Sequence, residues 1–252
     1  MILFDYYSID GHDAPLLISV PHAGLVFPGR DDLRESVHRI ADLYVDRVGQ
    51  LISDSCNATL IRSNMSRLWC DIERYPDERE EMNKVGMGVI YDVDADMNPL
   101  YEHPISGNER RFRLQSLYWP YHDELVRQSQ YMLNRYGYGL LLDLHSYSKT
   151  ALPYELHKED ARPGICIGHN GDRYGEHVAE IFRKVLESAG YEVGFNQTFK
   201  GAVRPNGIDS PHLACVMIEI RKDQYLDDGK LDEEKTDRLT GILAQGIRAS
   251  IK

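Results

Sequence analysis

The chain has few cysteines, no long hydrophobic run and no excess of basic residues. Its 252 residues include four cysteines, and no two of them form a CxxC pair. A chain of this length without clustered cysteines is not a disulfide scaffold, so we predict four reduced, buried and unreactive thiols. The longest apolar runs, such as Gly139–Leu142, are far shorter than the roughly 20 residues that cross a bilayer. The first ten residues contain no signal-peptide pattern, and we therefore expect a cytoplasmic protein.

The charge balance excludes whole classes of partner. The sequence has 29 Lys and Arg against 40 Asp and Glu, which gives a formal net charge of −11. Such a chain repels polyanions, so we expect it to bind neither nucleic acid nor anionic membranes. Its hydrophobic content of 42% is sufficient for a sizeable core, and its length is typical of one domain, which we predict to span residues 1–252. Composition does not predict the oligomeric state.

Short apolar segments alternate with longer amphipathic ones, a pattern typical of an α/β protein. Strands are predicted at Leu16–Val20, Ala58–Arg62, Leu68–Ile72, Gly139–Leu144, Gly164–Gly168, Tyr191–Phe195 and Ala214–Ile220. Helices are predicted at Asp31–Asp54, Glu109–Arg135, Asp172–Ala189 and Asp232–Ile251. Pro120 should kink or break the second helix unless it begins a new one. The segment from Glu73 to Gly107 lacks periodicity and is predicted to be mainly loop. This order implies a mixed, mostly parallel central sheet with helices on both faces.

Three predicted strands lead directly into ionisable side chains. His22 follows the first strand, His145 the strand that begins at Gly139, and Glu219 lies near the end of the last. Burying such groups costs several kcal/mol unless a partner or a metal ion compensates the loss of hydration. Two histidines and a carboxylate are donors that catalytic zinc uses. No HExxH motif is present, so the spacing alone leaves a metal site and ordinary salt bridges equally open.

Five segments in a fixed order carry a resemblance to a known family. They are SVPHAG (Ser19–Gly24), SRLWCDIER (Ser66–Arg74), WPYH (Trp119–His122), LDLHS (Leu142–Ser146) and IEIR (Ile218–Arg221). Together they resemble the N-formylglutamate amidohydrolase family. That family is similar in fold to the zinc carboxypeptidases and aspartoacylase-type deacylases, which implies a zinc-carboxypeptidase-like α/β fold for this chain.

The resemblance implies a zinc site with one ion per chain, although another divalent metal is left open. It makes His22 and His145 metal ligands and Glu219 the general base. In the carboxypeptidase pattern a glutamate stands three positions after the first histidine, but here that residue is Leu25. Asp42 matches the acidic replacement in the formylglutamate family. Asp46 competes with it, because the two residues share one face of the predicted helix.

The same resemblance suggests how an anionic substrate is held. Arg67 and Arg74 are the first candidates for carboxylate recognition, and Arg204 is the next. Asp71, which lies between the first two, is also predicted to contact the substrate. Arg221 lies two residues after Glu219 on the predicted strand. It either faces the same pocket or keeps Glu219 ionised as a structural partner.

Neighbours of the predicted ligands complete the site. Ser146 and Tyr147 are expected to shape the pocket wall, and His122 to pack in the interior. At one position the sequence departs from the family, which usually has Asn before the second arginine of the SRLWCDIER segment. Here that residue is Glu73, whose charge would repel an anionic substrate. Strict specificity for N-formylglutamate is therefore not implied.

The leading hypothesis is a zinc-dependent amidohydrolase that removes a formyl or other small acyl group from an acidic amino acid. The family's type reaction converts N-formyl-L-glutamate and water to L-glutamate and formate. The expected partner is thus a small anionic N-acyl amino acid. Two alternatives stay open: a zinc peptidase or deacylase acting on a γ-glutamyl or larger N-acyl substrate, and a metal-free family member that binds an amino-acid-like ligand.

Overall fold

The computed structural model describes residues 5–156, 158 and 161–251. A seven-stranded sheet lies at its centre, in the order β1-β3-β2-β4-β7-β5-β6. The strands are β1 (Tyr7–Asp10), β2 (Leu16–Val20), β3 (Thr59–Ser63), β4 (Gly139–Tyr147), β5 (Ile165–His169), β6 (Val193–Phe195) and β7 (Leu213–Arg221), and a short hairpin of β8 (Leu226–Asp227) and β9 (Lys230–Leu231) comes after them. The central strands β3, β2, β4 and β7 are parallel, whereas β1 and the pair β5 and β6 run in the opposite direction. The predicted mixed, mostly parallel sheet is confirmed.

Helices cover both faces of this sheet. They are α1 (Arg34–Ile40), α2 (Val45–Cys56), α3 (Gly107–Arg113), α4 (Trp119–Tyr136), α5 (Arg173–Ser188) and α6 (Glu233–Ser250). On one face α2 and α5 pack on the strands and α6 packs on both of these helices, and on the other face α4 packs on β2 and β4. Within the described ranges, no helix has the length and apolar content needed to span a membrane.

Strand alternation divides the core between the two faces. In β4, Leu140, Leu142 and Leu144 belong to the apolar cluster under α2, α5 and α6. Leu141 belongs to a second cluster with α4 and with much of the segment between β3 and α3. Successive side chains of a strand point to opposite faces, so each central strand contributes to both clusters.

The predicted helix over Asp31–Asp54 was wrong as a single element. A 3-10 turn at Asp31–Leu33 leads into α1, and the helix then stops at Ala41, which is extended. Val37 of α1 packs in the cluster on the α4 side, whereas Val48 of α2 packs in the cluster on the opposite face. One straight helix cannot bury both sets of residues, and the chain therefore turns before α2 begins.

Two further predictions, one of a strand and one of a buried thiol, needed correction. Leu68–Ile72 is not a strand, because tight turns such as Trp69 N–H donating to the Ser66 carbonyl bury its apolar residues without a ladder. Cys56 is half-buried at the end of α2, while the other three thiols are buried as predicted.

The Glu109–Arg135 region is helical, with a π-helical turn at Leu114–Tyr118 shortly before Pro120. That proline lies in the first turn of α4, where its missing N–H costs little.

Candidate active site

The polar ends of three parallel strands meet at one edge of the sheet. His22 lies two residues beyond β2, and His145 of β4 stands opposite Glu219 in the register with β7. All three side chains are buried. Side chains at the carboxyl ends of neighbouring parallel strands converge, which is where α/β proteins place their sites.

A close approach of two backbone segments fixes the turn that carries His22. A Cβ atom on Gly24 would lie 2.4 Å from the Met65 carbonyl oxygen and 2.5 Å from the Asn64 carbonyl carbon. Only glycine fits there, and Val26 N–H donates to the Asn64 carbonyl at 3.2 Å. The SVPHAG segment is thereby joined to the chain that leads into SRLWCDIER.

Three donor atoms converge at the centre of the site. His22 Nδ1 lies 3.2 Å from His145 Nδ1, and Asp42 Oδ2 lies 3.3 Å from His145 Nδ1 and 3.9 Å from His22 Nδ1. The three side chains are buried and could hold a metal ion together. Two imidazole nitrogens and one carboxylate oxygen match the three-ligand sets of catalytic zinc, so the residues present fit such an ion.

The structure also separates the two candidates for the acidic ligand. Asp42 lies in the non-helical turn between α1 and α2, where its N–H donates to the His22 carbonyl at 3.0 Å. Asp46 lies in the first turn of α2, half-buried and outside the group of convergent donors. The assumption that the two share one helix face was wrong, because the helix is interrupted between them.

Carboxylates lie at the far nitrogens of both histidines. His22 Nε2 hydrogen-bonds Asp71 Oδ1 at 2.9 Å, and Asp71 Oδ2 accepts from Arg67 at 2.8 Å and from the Tyr91 hydroxyl at 2.6 Å. Burial opposes ionisation of Asp71, but Arg67 and His22 outweigh it and hold its pKa well below the ordinary value. This bond places the proton of His22 on Nε2 and leaves Nδ1 free as a donor atom. Asp71 is wholly buried and occupied by these contacts, so its position does not match the predicted contact with substrate.

His145 likewise faces two carboxylates, although its Nε2 makes no hydrogen bond to a described residue. Its Nε2 lies 3.1 Å from Glu73 Oε2 and 3.2 Å from Asp143 Oδ1. Burial lowers the pKa of His145, but Glu73 and Asp143 more than compensate and raise it well above the ordinary value. Sequence reasoning missed both partners. Asp143 could have been found, because it lies two residues before His145 and therefore on the same face of β4.

The convergent donors open into a cavity of about 530 Å³. The cavity is lined by Arg67, Arg74, Ser146 and Tyr147, whose contact with a substrate stays a prediction. Arg67 is paired with Asp71, whereas Arg74 Nε is 3.7 Å from Asp71 and has no hydrogen-bond partner in the described part of the chain. Two guanidinium groups thus border one cavity. Arg74 Nη1 also lies 3.9 Å from Glu80 Oε1, and of its buried nitrogens only Nε lacks a described hydrogen-bond partner.

Glu219 lines the same cavity with an uncompensated carboxylate. Its Oε2 is buried and lacks a hydrogen-bond partner among the described residues. Burial raises the pKa of Glu219 to about 8. A buried carboxyl group without donors beside a metal-type donor set is an arrangement typical of general acid–base catalysis.

The comparisons with known proteins identify the family of this chain. The family model for N-formylglutamate amidohydrolase matches residues 14–226. The chain belongs to this family. The N-formylglutamate deformylase of Pseudomonas putida is 29% identical over 224 residues, which cover 85% of this chain and 82% of that protein. The N-formylglutamate deformylase of Pseudomonas aeruginosa is 28% identical over 249 residues, covering 94% and 90%.

A solved structure extends the likeness to the fold. The crystal structure of N-formylglutamate amidohydrolase from Ralstonia eutropha JMP134 superposes with a TM-score of 0.81 at 21% identity, covering 98% of this chain and all of that one. The N-formylglutamate amidohydrolase family is a family of hydrolases, so the chain is an enzyme of that class.

At the end of the IEIR segment, the cavity is lined by Lys222 and not by the predicted Arg221. Arg221 pairs with Asp223 at 2.7 Å and donates to the Arg162 carbonyl at 2.6 Å, so neither predicted role is seen. Lys222, which sequence reasoning missed, lines the cavity and donates to the Ala41 carbonyl at 2.7 Å. Strand β7 ends at Arg221 and a 3-10 turn begins at Lys222, so the strand alternation no longer applies there.

Two other predicted residues lie further from the donor group. Arg204 pairs with Asp172 at 3.0 Å and lines a second cavity instead of the first. His122 is buried and its Nε2 lies 2.7 Å from the Ile72 carbonyl oxygen, which agrees with the predicted packing role.

Proposed function

We propose that this chain is a metal-dependent amidohydrolase that converts N-formyl-L-glutamate and water to L-glutamate and formate. One observation carries the proposal: the donors of His22, Asp42 and His145 converge beside Glu219 in a cavity that is also lined by arginines. The names of the two Pseudomonas relatives support the same reaction. The proposal takes the whole chain as one cytoplasmic catalytic domain. Its relation to the zinc carboxypeptidases stays a prediction.

The metal ligands in this proposal are His22, Asp42 and His145, and the donor set favours zinc over magnesium or calcium. When bound at such a site, zinc lowers the pKa of a coordinated water toward 7 and polarises a carbonyl oxygen. Asp71 orients the imidazole of His22 through Nε2. Glu73 and Asp143 orient the imidazole of His145, also from the Nε2 side.

Glu219 performs the proton transfers. It takes the proton of the attacking water and delivers it to the amine nitrogen as the amide C–N bond breaks. Glu219 lines the cavity, and its Oε2 has no hydrogen-bond partner in the described chain.

Arg67, Arg74 and Lys222 hold the carboxylates of the substrate. They line the cavity that contains the donor group, in a chain whose formal net charge is −11. Arginine forks bind carboxylates in pairs of parallel hydrogen bonds, and this fixes both the position and the direction of the amino acid. The scissile amide is thereby directed toward Glu219.

The first experiment measures metal content by elemental analysis together with formate release from N-formyl-L-glutamate. About one zinc per chain with formate release is the expected result. Zinc without formate release would reject the formyl substrate but keep a metal hydrolase. No metal, even after reconstitution, would reject the enzyme in favour of the ligand-binding alternative.

A variant pair tests the carboxylate role. Arg74→Gln should raise KM for N-formyl-L-glutamate about tenfold or more, the size of a lost charge-assisted hydrogen bond. Arg135→Gln removes an exposed arginine whose only described ion pair is with Asp13 on the surface, and it should leave KM unchanged. Equal kinetics for the two variants would contradict the role of Arg74.

A further inference from the structure

A second cavity adjoins the first. Its volume is about 710 Å³, and Glu73, Lys200 and Met217 line both cavities. These three side chains therefore stand between the two spaces. Arg67 and Arg74 border only the first cavity, whereas Arg204 borders only the second.

A formyl group does not need this additional room. Its carbonyl carbon carries only hydrogen beyond the amide, so nothing of an N-formyl substrate extends past the reacting carbon. If the amino acid is held at Arg67 and Arg74, which border only the first cavity, the further space opens past Glu73, which lines both cavities. A longer acyl group would continue past that residue into the second cavity.

At the second cavity, two carboxylates face one nitrogen of His145. Glu73 Oε2 and Asp143 Oδ1 lie 3.1 and 3.2 Å from the same nitrogen, His145 Nε2, which has at most one proton to donate. Both carboxylates line the second cavity, and Asp143 Oδ1 is buried without a hydrogen-bond partner in the described segments. An ammonium group, with three donors and a positive charge, complements this pair.

Two basic side chains also line the second cavity. Lys200 is exposed and lines both cavities, and Arg204, with a side chain 35% exposed, borders the second one while paired to Asp172. A cavity that is lined by both carboxylates and cations fits a zwitterion. The free end of an amino acid has that chemistry, with an ammonium and a carboxylate on one carbon.

We propose that Glu73, Asp143 and Lys200 form a subsite for the zwitterionic end of an aminoacyl group, so that the chain also hydrolyses γ-glutamyl amides of acidic amino acids. The proposal rests on the proposed amidohydrolase function. For γ-L-glutamyl-L-glutamate, water adds its oxygen to the γ-carbonyl carbon, the C–N bond breaks, and the nitrogen takes a proton. Two molecules of L-glutamate result.

A substrate panel tests the subsite with the metal-loaded enzyme. It compares γ-L-glutamyl-L-glutamate with N-glutaryl-L-glutamate, which has the same length and carboxylate but no amino group, and with N-formyl-L-glutamate. We expect kcat/KM for the γ-glutamyl compound to exceed that for the N-glutaryl compound about tenfold or more. A ratio near one would overturn the ammonium site.

Variants locate the effect. Glu73→Gln keeps the size of the side chain and should reduce the preference for the amino group to near one. Its control, Glu81→Gln, removes the same charge from an exposed residue that lines only the first cavity and should keep the preference. Should Glu73→Gln lose metal or fold, Lys200→Met at an exposed position serves instead. It should weaken both longer substrates relative to N-formyl-L-glutamate.

The substrate panel distinguishes a failure of the subsite from a failure of the proposed function. Hydrolysis of N-formyl-L-glutamate alone would overturn the subsite and leave the proposed function intact. Hydrolysis of γ-L-glutamyl-L-glutamate alone would support the subsite and reject the formyl substrate, and hydrolysis of neither would reject both. Two metal ions per chain, reduced to one in Glu73→Gln, would overturn the subsite by showing that a cation occupies the carboxylate pair.

Discussion

The two faces of the central sheet are built from the same strands but perform different tasks. Toward α2, α5 and α6, strand β4 presents leucine at 140, 142 and 144, all fully buried in one apolar cluster. Toward α4 the same strand begins with Leu141 and continues with Asp143 and His145. The first face stays apolar as far as Leu144, whereas the second is polar from Asp143. Period-two alternation lets one strand stabilise the fold on one side and carry chemistry on the other.

Polar groups on the second face are paired with side chains from one segment of the chain. The apolar first face needs no such partners. Arg67, Asp71 and Glu73 all come from the segment between β3 and α3 and contact the buried histidines or each other. Ionised groups in the interior are costly unless they are paired, so this segment supplies partners for the strand residues. This compensation is incomplete, because Glu219 Oε2 and Asp143 Oδ1 are buried and have no described hydrogen-bond partner.

The largest expected effect is that of Glu219→Gln on activity. The variant removes the general base, so kcat should fall about 10²- to 10⁴-fold at neutral pH while metal content stays the same. Steady-state kinetics and elemental analysis measure the two quantities. Full turnover in the variant would show that Glu219 is not the base.

The same substitution should stabilise the metal-free protein. Burial raises the pKa of Glu219 in the folded state to about 8, above its value in the unfolded chain. The folded state therefore keeps a proton that the unfolded state loses, and stability falls as pH rises from about 4 to about 8. Replacing the carboxylate with an amide should raise the free energy of unfolding at pH 7 by roughly 1–3 kcal/mol, and have little effect near pH 4. Urea unfolding with chelator at both pH values checks this, and a loss of stability at pH 7 would contradict it.

On the apolar face, truncation should have the opposite outcome. Leu142 is fully buried, and Leu142→Ala should lower the free energy of unfolding by about 2–5 kcal/mol without changing metal content per folded chain. Leu25→Ala, at a side chain 41% exposed, is the control and should change stability by less than about 0.5 kcal/mol. Loss of metal in folded Leu142→Ala would show that the two faces are not independent.

This division explains which features could be predicted from the sequence. The strands and the meeting of His22, His145 and Glu219 depend on local patterns, namely apolar runs and the ionisable residue at the end of each run. The break between α1 and α2 could not be predicted, because Val37 and Val48 keep helical spacing although they pack on opposite faces. Periodicity reports that a residue is buried, but not which side of the sheet buries it.

Contacts between residues that are far apart in the sequence could not be predicted either. Glu73 and His145 are 72 residues apart, and neither segment indicates that their side chains lie within 3.1 Å. Lys222 was missed although it adjoins Arg221, because the end of β7 decides which of the two cations reaches the cavity. Such pairings depend on the tertiary structure rather than on local sequence.

A smaller effect is expected from the residue behind His22. Asp71→Asn removes the charge that orients the imidazole, and the affinity for zinc should fall about 10- to 100-fold. Competition with a chelator of known affinity measures it. Asp46→Asn is the matched control, because Asp46 lies outside the donor group and should leave the affinity unchanged. Equal affinities in the two variants would reject the role of Asp71.

The smallest expected effect lies in the turn that carries the chain from one face to the other. Tyr44 has φ of 64°, a left-handed conformation that costs a non-glycine residue about 1 kcal/mol or more. Hydrogen bonds hold this turn on either side: Lys222 donates to the Ala41 carbonyl and the Tyr225 hydroxyl to the Leu43 carbonyl, both at 2.7 Å. Tyr44→Gly should therefore relieve strain without moving Asp42, and stabilise the fold by about 0.5–1 kcal/mol at unchanged zinc affinity. If affinity for zinc instead falls as stability rises, the strained tyrosine itself positions Asp42, and the connection between the faces is part of the site.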